Sequence, residues 1–60
     1  MSARAVDAVF QGLYLFTEIR MMMRKSAPEH VLTEDEKKVI AKTLDKLEKQ
    51  ITIVREEMIS

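Results

Sequence analysis

The chain has 60 residues, with ten basic and ten acidic side chains, no cysteine, one histidine, one glycine and one proline. These counts exclude disulfides and thiolate metal sites, and zero net charge argues against a strongly basic nucleic-acid binder. A chain this short is marginally stable alone, so oligomerisation is the expected source of added stability.

The first predicted element is a helix over residues 3–25. Ser2 is a suitable N-cap, and the basic residues Arg24 and Lys25 suit the negative end of the helix dipole. Apolar side chains at helical spacing cover most of this helix, and only a thin stripe is polar. One neighbouring helix cannot cover so broad an apolar surface, so the pattern predicts a further partner.

A loop is predicted over residues 26–32. Pro28 cannot continue a helix, and it biases Ala27 away from helical backbone angles. A connection this short makes the flanking helices antiparallel neighbours. The loop contains His30, which is the one histidine and which we expect to be exposed.

The second predicted element is a helix over residues 33–59. Thr33 and Glu36 have the spacing of a capping box, in which each side chain bonds to the backbone of the other residue. One narrow apolar stripe then repeats at alternating steps of four and three residues, which is typical of a helix packed along one edge. The stripe consists of Ile40, Leu44, Leu47, Ile51, Val54 and Met58.

The two helices are predicted to form one all-α domain over residues 1–60, an antiparallel helical hairpin. In such a hairpin, facing positions have numbers that add up to roughly 59. Gly12 then faces Leu47 and leaves room for its side chain. The predicted intra-hairpin core consists of Val9, Gly12, Phe16, Ile19, Ile40, Leu44, Leu47, Ile51 and Val54.

A second set of apolar residues on the first helix remains uncovered in this arrangement. It consists of Val6, Phe10, Leu13, Leu15 and Met22. Covering these side chains with a second copy predicts a homodimer whose two hairpins form a four-helix bundle. The pattern leaves open which flank of the first helix faces its mate. A tetramer, or a complex with another helical protein, would cover the same surface.

Four lysines on the outer side of the second helix form the one candidate face for nucleic acid: Lys38, Lys42, Lys46 and Lys49. Asp45 interrupts them, and no aromatic residue lies among them to stack on a base. The pattern therefore favours an ordinary solvated helix face, and nucleic-acid binding stays as the alternative.

No residue pattern indicates catalysis, a cofactor or a metal. One histidine cannot supply a triad and a metal site, and no glycine-rich phosphate loop is present. The uncharged stretch 8–17 is shorter than the roughly 20 residues that cross a bilayer. We expect a cytoplasmic, non-enzymatic interaction module, such as an adaptor, regulator or assembly chaperone, with no small-molecule substrate and no membrane partner.

Overall fold

The computed structural model describes residues 2–29 and 31–59. Two helices, α1 (Ala3–Lys25) and α2 (Glu34–Met58), pack against each other as an antiparallel hairpin. This confirms the predicted all-helical hairpin. Its Cα atoms extend over 40 × 16 × 13 Å. Within the described residues, neither helix is long and apolar enough to cross a membrane.

Both helices begin at side-chain caps. The Ser2 hydroxyl accepts a hydrogen bond from the Ala5 amide at 3.1 Å. At α2, the Glu36 amide donates to the Thr33 hydroxyl at 3.1 Å, and the Thr33 amide donates to the Glu36 carboxylate at 2.8 Å. These bonds satisfy backbone amides that have no partner within a helix, and they set where each helix starts.

The helices contact each other along a seam of mostly small side chains. Among the described residues, those under a tenth exposed are Ala5, Ala8, Leu15, Thr43 and Leu47. The Thr43 hydroxyl donates to the Val39 carbonyl at 3.0 Å, which satisfies its one buried polar group. No large side chain of the described residues is fully buried, so the core of the isolated hairpin is thin.

Polar contacts join the open ends of the two helices. The Ser2 hydroxyl donates to one carboxylate oxygen of Glu57 at 2.6 Å, and Arg4 reaches the other oxygen at 3.2 Å. The same guanidinium lies 3.7 Å from Glu56. These contacts place the start of α1 level with the end of α2.

Candidate interaction surface

Four residues of the predicted intra-hairpin core lie outside it. Val9 and Phe16 on α1 are 42% and 56% exposed, and Leu44 and Ile51 on α2 are 44% and 50% exposed. Residues that fill a hairpin core lose nearly all contact with water. The predicted core is therefore wrong at these four positions.

The physical reason is that each helix is rotated about its own axis relative to the packing predicted from the sequence. Along α1, the buried and half-buried positions are 5, 8, 12, 15, 19 and 22, which alternate steps of three and four. The small side chains of Ala5 and Ala8 let α2 approach closely, and Thr43 takes the place expected for Leu44. The larger apolar side chains are thereby turned to one side of the hairpin.

The other predicted core residues lie at or beside the seam. Leu47 is 3% exposed, and the half-buried ones are Gly12, Ile19, Ile40 and Val54. Gly12 faces Leu47, because a Cβ built at position 12 would lie 3.9 Å from a Leu47 methyl group. That distance is an ordinary van der Waals contact, so the hairpin does not require glycine there.

The predicted dimer-interface residues fall into two groups in the structure, one at the contact between the helices and one exposed. Leu15 is 7% exposed and Met22 is half-buried, so both lie at the hairpin's own seam; this corrects their assignment to a surface for a second copy. Val6, Leu13 and Phe10 are exposed, at 40%, 60% and 65%. Phe10 differs from the other two, because helical spacing places it on the side of α1 turned away from α2.

Six of the exposed large apolar side chains share one side of the hairpin, while others, such as Phe10 and Val39, lie elsewhere on it. We call this side the open apolar face, and it consists of Val6, Val9, Leu13, Phe16, Leu44 and Ile51. A shallow groove of about 350 Å³ runs along it, with Leu47 and Val54 among its lining residues. Monomeric soluble proteins rarely expose a contiguous apolar patch larger than a few hundred Å². A side of the hairpin with this many exposed apolar side chains is a candidate interaction surface.

The lysine face is mixed in charge. Lys38, Lys42, Lys46 and Lys49 are all exposed on α2. One of them, Lys49, lines a shallow depression together with residues of both signs: Arg4, Asp45, Glu48 and Glu56. Acidic groups this close weaken the attraction for phosphate that a row of lysines would otherwise exert.

One carboxylate shows an altered acidity. The pKa of Glu57 lies below its ordinary value, chiefly because the Ser2 hydroxyl donates a hydrogen bond to the charged carboxylate. The nearby Arg4 acts in the same direction, and partial removal from water opposes both. Glu57 lies among the polar contacts that join the start of α1 to the end of α2, away from the open apolar face.

Groups suited to metal chemistry are not clustered. Over residues 2–29 and 31–59, no three histidine, cysteine, aspartate or glutamate side chains come together to hold an ion. His30 lies outside the described residues. What the described surface offers is apolar packing along one side of the hairpin.

Three features of this surface were not anticipated from the sequence: the alanine-lined seam, the buried Thr43 and the contact between Ser2 and Glu57. A signal for the first was present, because Ala5, Ala8 and Gly12 follow the same three-and-four spacing as the leucines. The Ser2 contact depends on the exact height of α2 against α1, which local spacing does not specify.

Comparison with known proteins finds no matching family model, no matching curated protein and no matching solved structure.

Proposed function

We propose that this chain is a small non-enzymatic protein–protein interaction module, an adaptor, regulator or assembly chaperone, that acts through self-association. Two hairpins cover each other's open apolar faces and form a four-helix bundle. The observation that supports this is the open apolar face itself, because both helices contribute large apolar side chains to one side of the hairpin.

The thin core supports a second copy as the occupant. Full burial of a large apolar side chain contributes about 1.5–3 kcal/mol, so half-exposed ones leave roughly half of that unrealised. The hairpin gains little elsewhere, since two of the four buried apolar residues within 2–29 and 31–59 are the alanines Ala5 and Ala8. A second copy would turn the open apolar face into the principal core.

The size of the face also fits a dimer. The hairpin's broad side measures about 40 Å by 16 Å between Cα atoms. A standard protein interface takes roughly 800 Å² of surface from each partner, and the hairpin side is of that scale. Two such sides in contact would give helix spacings typical of a four-helix bundle.

A matched pair of substitutions tests the proposal. Leu13 and Tyr14 are neighbours on α1 and are both 60% exposed, but only Leu13 belongs to the open apolar face. We expect Leu13→Asp to abolish the dimer, because a carboxylate would be buried without a partner. Tyr14→Asp should leave the dimer intact. Light scattering coupled to size-exclusion chromatography measures the mass of each variant.

If Leu13→Asp unfolds, a second test uses the unmodified chain, whose melting is followed by circular dichroism at several protein concentrations. The melting temperature of the unmodified chain should rise with protein concentration, as it does for any folded dimer. A monomeric mass and a concentration-independent melting temperature for the unmodified chain would refute self-association. Folding rescued only by a different helical protein would favour a hetero-complex instead.

A further inference from the structure

A second row of exposed side chains runs along the side of α1 that points away from α2. It consists of Phe10, Tyr14, Thr17 and Met21, at steps of four, three and four residues. Phe10, Tyr14 and Met21 are 65%, 60% and 56% exposed, and Thr17 is exposed as well. We call this row the outer stripe. Its spacing is that of a helix that packs lengthwise against another helix.

The outer stripe is separate from the open apolar face. With 3.6 residues per turn, its centre lies about 90° around α1 from the centre of Val6, Val9, Leu13 and Phe16, and nearly opposite the seam with α2. A second hairpin packed on the open apolar face would therefore not cover the outer stripe. The proposed self-association leaves this surface exposed.

The polar groups of the outer stripe do not oppose its burial. The Thr17 hydroxyl, near the middle of the stripe, donates to the Leu13 carbonyl of its own helix at 2.9 Å. Because this hydroxyl already has an acceptor, a partner can cover it without leaving it unpaired. Tyr14 has its hydroxyl at the tip of the ring, where it can stay in contact with water at the rim of an interface.

The end of the outer stripe nearest the loop is positively charged. Arg20, Arg24 and Lys25 are exposed there, and the one carboxylate between Thr17 and Lys25 is Glu18. Within residues 2–29 and 31–59, no ion pair joins these cations to a carboxylate. Their charge is therefore available to a partner. Aromatic residues, methionine and arginine are also the residue types enriched at protein interfaces.

We therefore propose that the outer stripe is a docking site for an acidic amphipathic helix of another protein. Apolar side chains of that helix pack on Phe10, Tyr14 and Met21. Its carboxylates lie beside Arg24 and Lys25, where opposite charges attract. The contact from Phe10 to Arg24 is about 21 Å long, or roughly four turns of helix. This site goes beyond self-association, because a dimer would present two outer stripes.

The shape beside the outer stripe also suits a helix. A shallow depression of about 630 Å³ lies between this part of α1 and the first half of α2. Its lining includes Tyr14, Thr17, Met21 and, on α2, Val39. Packed helices insert the side-chain ridges of one helix into the grooves of the other. A helix that lies on the outer stripe can place such a ridge in this depression.

Two synthetic peptides of about 18 residues test this docking site. Both have leucine at heptad spacing along one face, and the bordering positions are glutamate in one and lysine in the other. In isothermal titration calorimetry we expect the unmodified chain to bind the glutamate peptide and not the lysine peptide. Tyr14→Asp should weaken this binding at least about tenfold, because a central aromatic contact is replaced by a charge. Thr52→Asp is the matched control, since it adds the same charge on the exposed side of α2, and it should bind like the unmodified chain.

Charge reversal at the end of α1 provides a second test that leaves the apolar members of the stripe in place. The double variant Arg24→Glu, Lys25→Glu should prefer the lysine peptide, and circular dichroism checks that it keeps its helices.

Three results would overturn the docking site. They are equal binding of both peptides to the unmodified chain, glutamate-peptide binding that Tyr14→Asp leaves unchanged, and binding of phosphatidylglycerol vesicles in place of the glutamate peptide. The last result would assign the outer stripe to a membrane surface. Self-association is judged separately, by the mass of Leu13→Asp, so either proposal can fail without the other.

Discussion

At the scale of single residues, Gly12 is a position where the packing expected from the sequence differs from the packing in the structure. The sequence suggests that Leu47 needs the space a glycine leaves. In the hairpin, an added Cβ would meet Leu47 at 3.9 Å and no other atom within 4 Å outside its own helix backbone and chain neighbours. Glycine inside a helix is less favourable than alanine by about 1 kcal/mol. The hairpin alone therefore gives no packing reason for glycine here.

We expect Gly12→Ala to raise the free energy of unfolding by about 0.5–1 kcal/mol, because alanine restricts the unfolded chain and fits the seam. Urea unfolding followed by circular dichroism measures the change. Gly12→Val is the matched comparison, since its branched side chain is larger and less suited to a helix. A loss of stability in Gly12→Ala would mean that something besides Leu47 approaches this position.

Glu57 gives the hairpin a defined dependence on pH. Its pKa is lowered in the folded state, so its contribution to stability is fully present above the pKa of the unfolded chain. That contribution is lost as the pH falls through the lower folded pKa. In Ser2→Ala, an NMR titration should show the Glu57 pKa shifted upward, because the Ser2 hydrogen bond is the largest single cause of the lowered value. An unchanged Glu57 pKa in this variant would contradict that cause.

At the scale of the elements, the local signals in the sequence were sufficient for the helices but not for their rotation. Pro28 predicted the loop, and the capping box predicted the residue at which α2 begins. Both predicted helices are present. The seam was misplaced because α1 has two overlapping apolar stripes, one that includes Phe16 and one that includes Leu15. A single helix cannot show which stripe meets its neighbour, since that choice depends on how closely the two backbones approach.

The start of α2 depends on one side chain. We expect Thr33→Ala to lower the free energy of unfolding by about 1 kcal/mol, because it removes the acceptor for the Glu36 amide. Thr52→Ala is the control on the same helix; the Thr52 hydroxyl donates to the Glu48 carbonyl one turn earlier, and its loss should be neutral or slightly stabilising. Chemical unfolding of both variants gives the comparison. Equal effects would show that the cap does not set the helix start.

At the scale of the whole molecule, the hairpin combines a thin core with a broad apolar side. Its two helices meet over alanines, a threonine and two leucines, while both phenylalanines stay more than half exposed. In this respect the hairpin resembles half of a larger core. Residue spacing was enough to predict the fold class, but which residues form the open apolar face depends on the rotation of each helix about its axis, which spacing alone does not determine.

The Ser2–Glu57 contact also has a topological consequence. The two described chain ends lie side by side, at the end of the hairpin opposite the turn. A short glycine linker would therefore bridge them, and the backbone could be cut near Pro28 without separating the helices. Such a circular permutant would exchange the order of the two helices while keeping every packing contact between them.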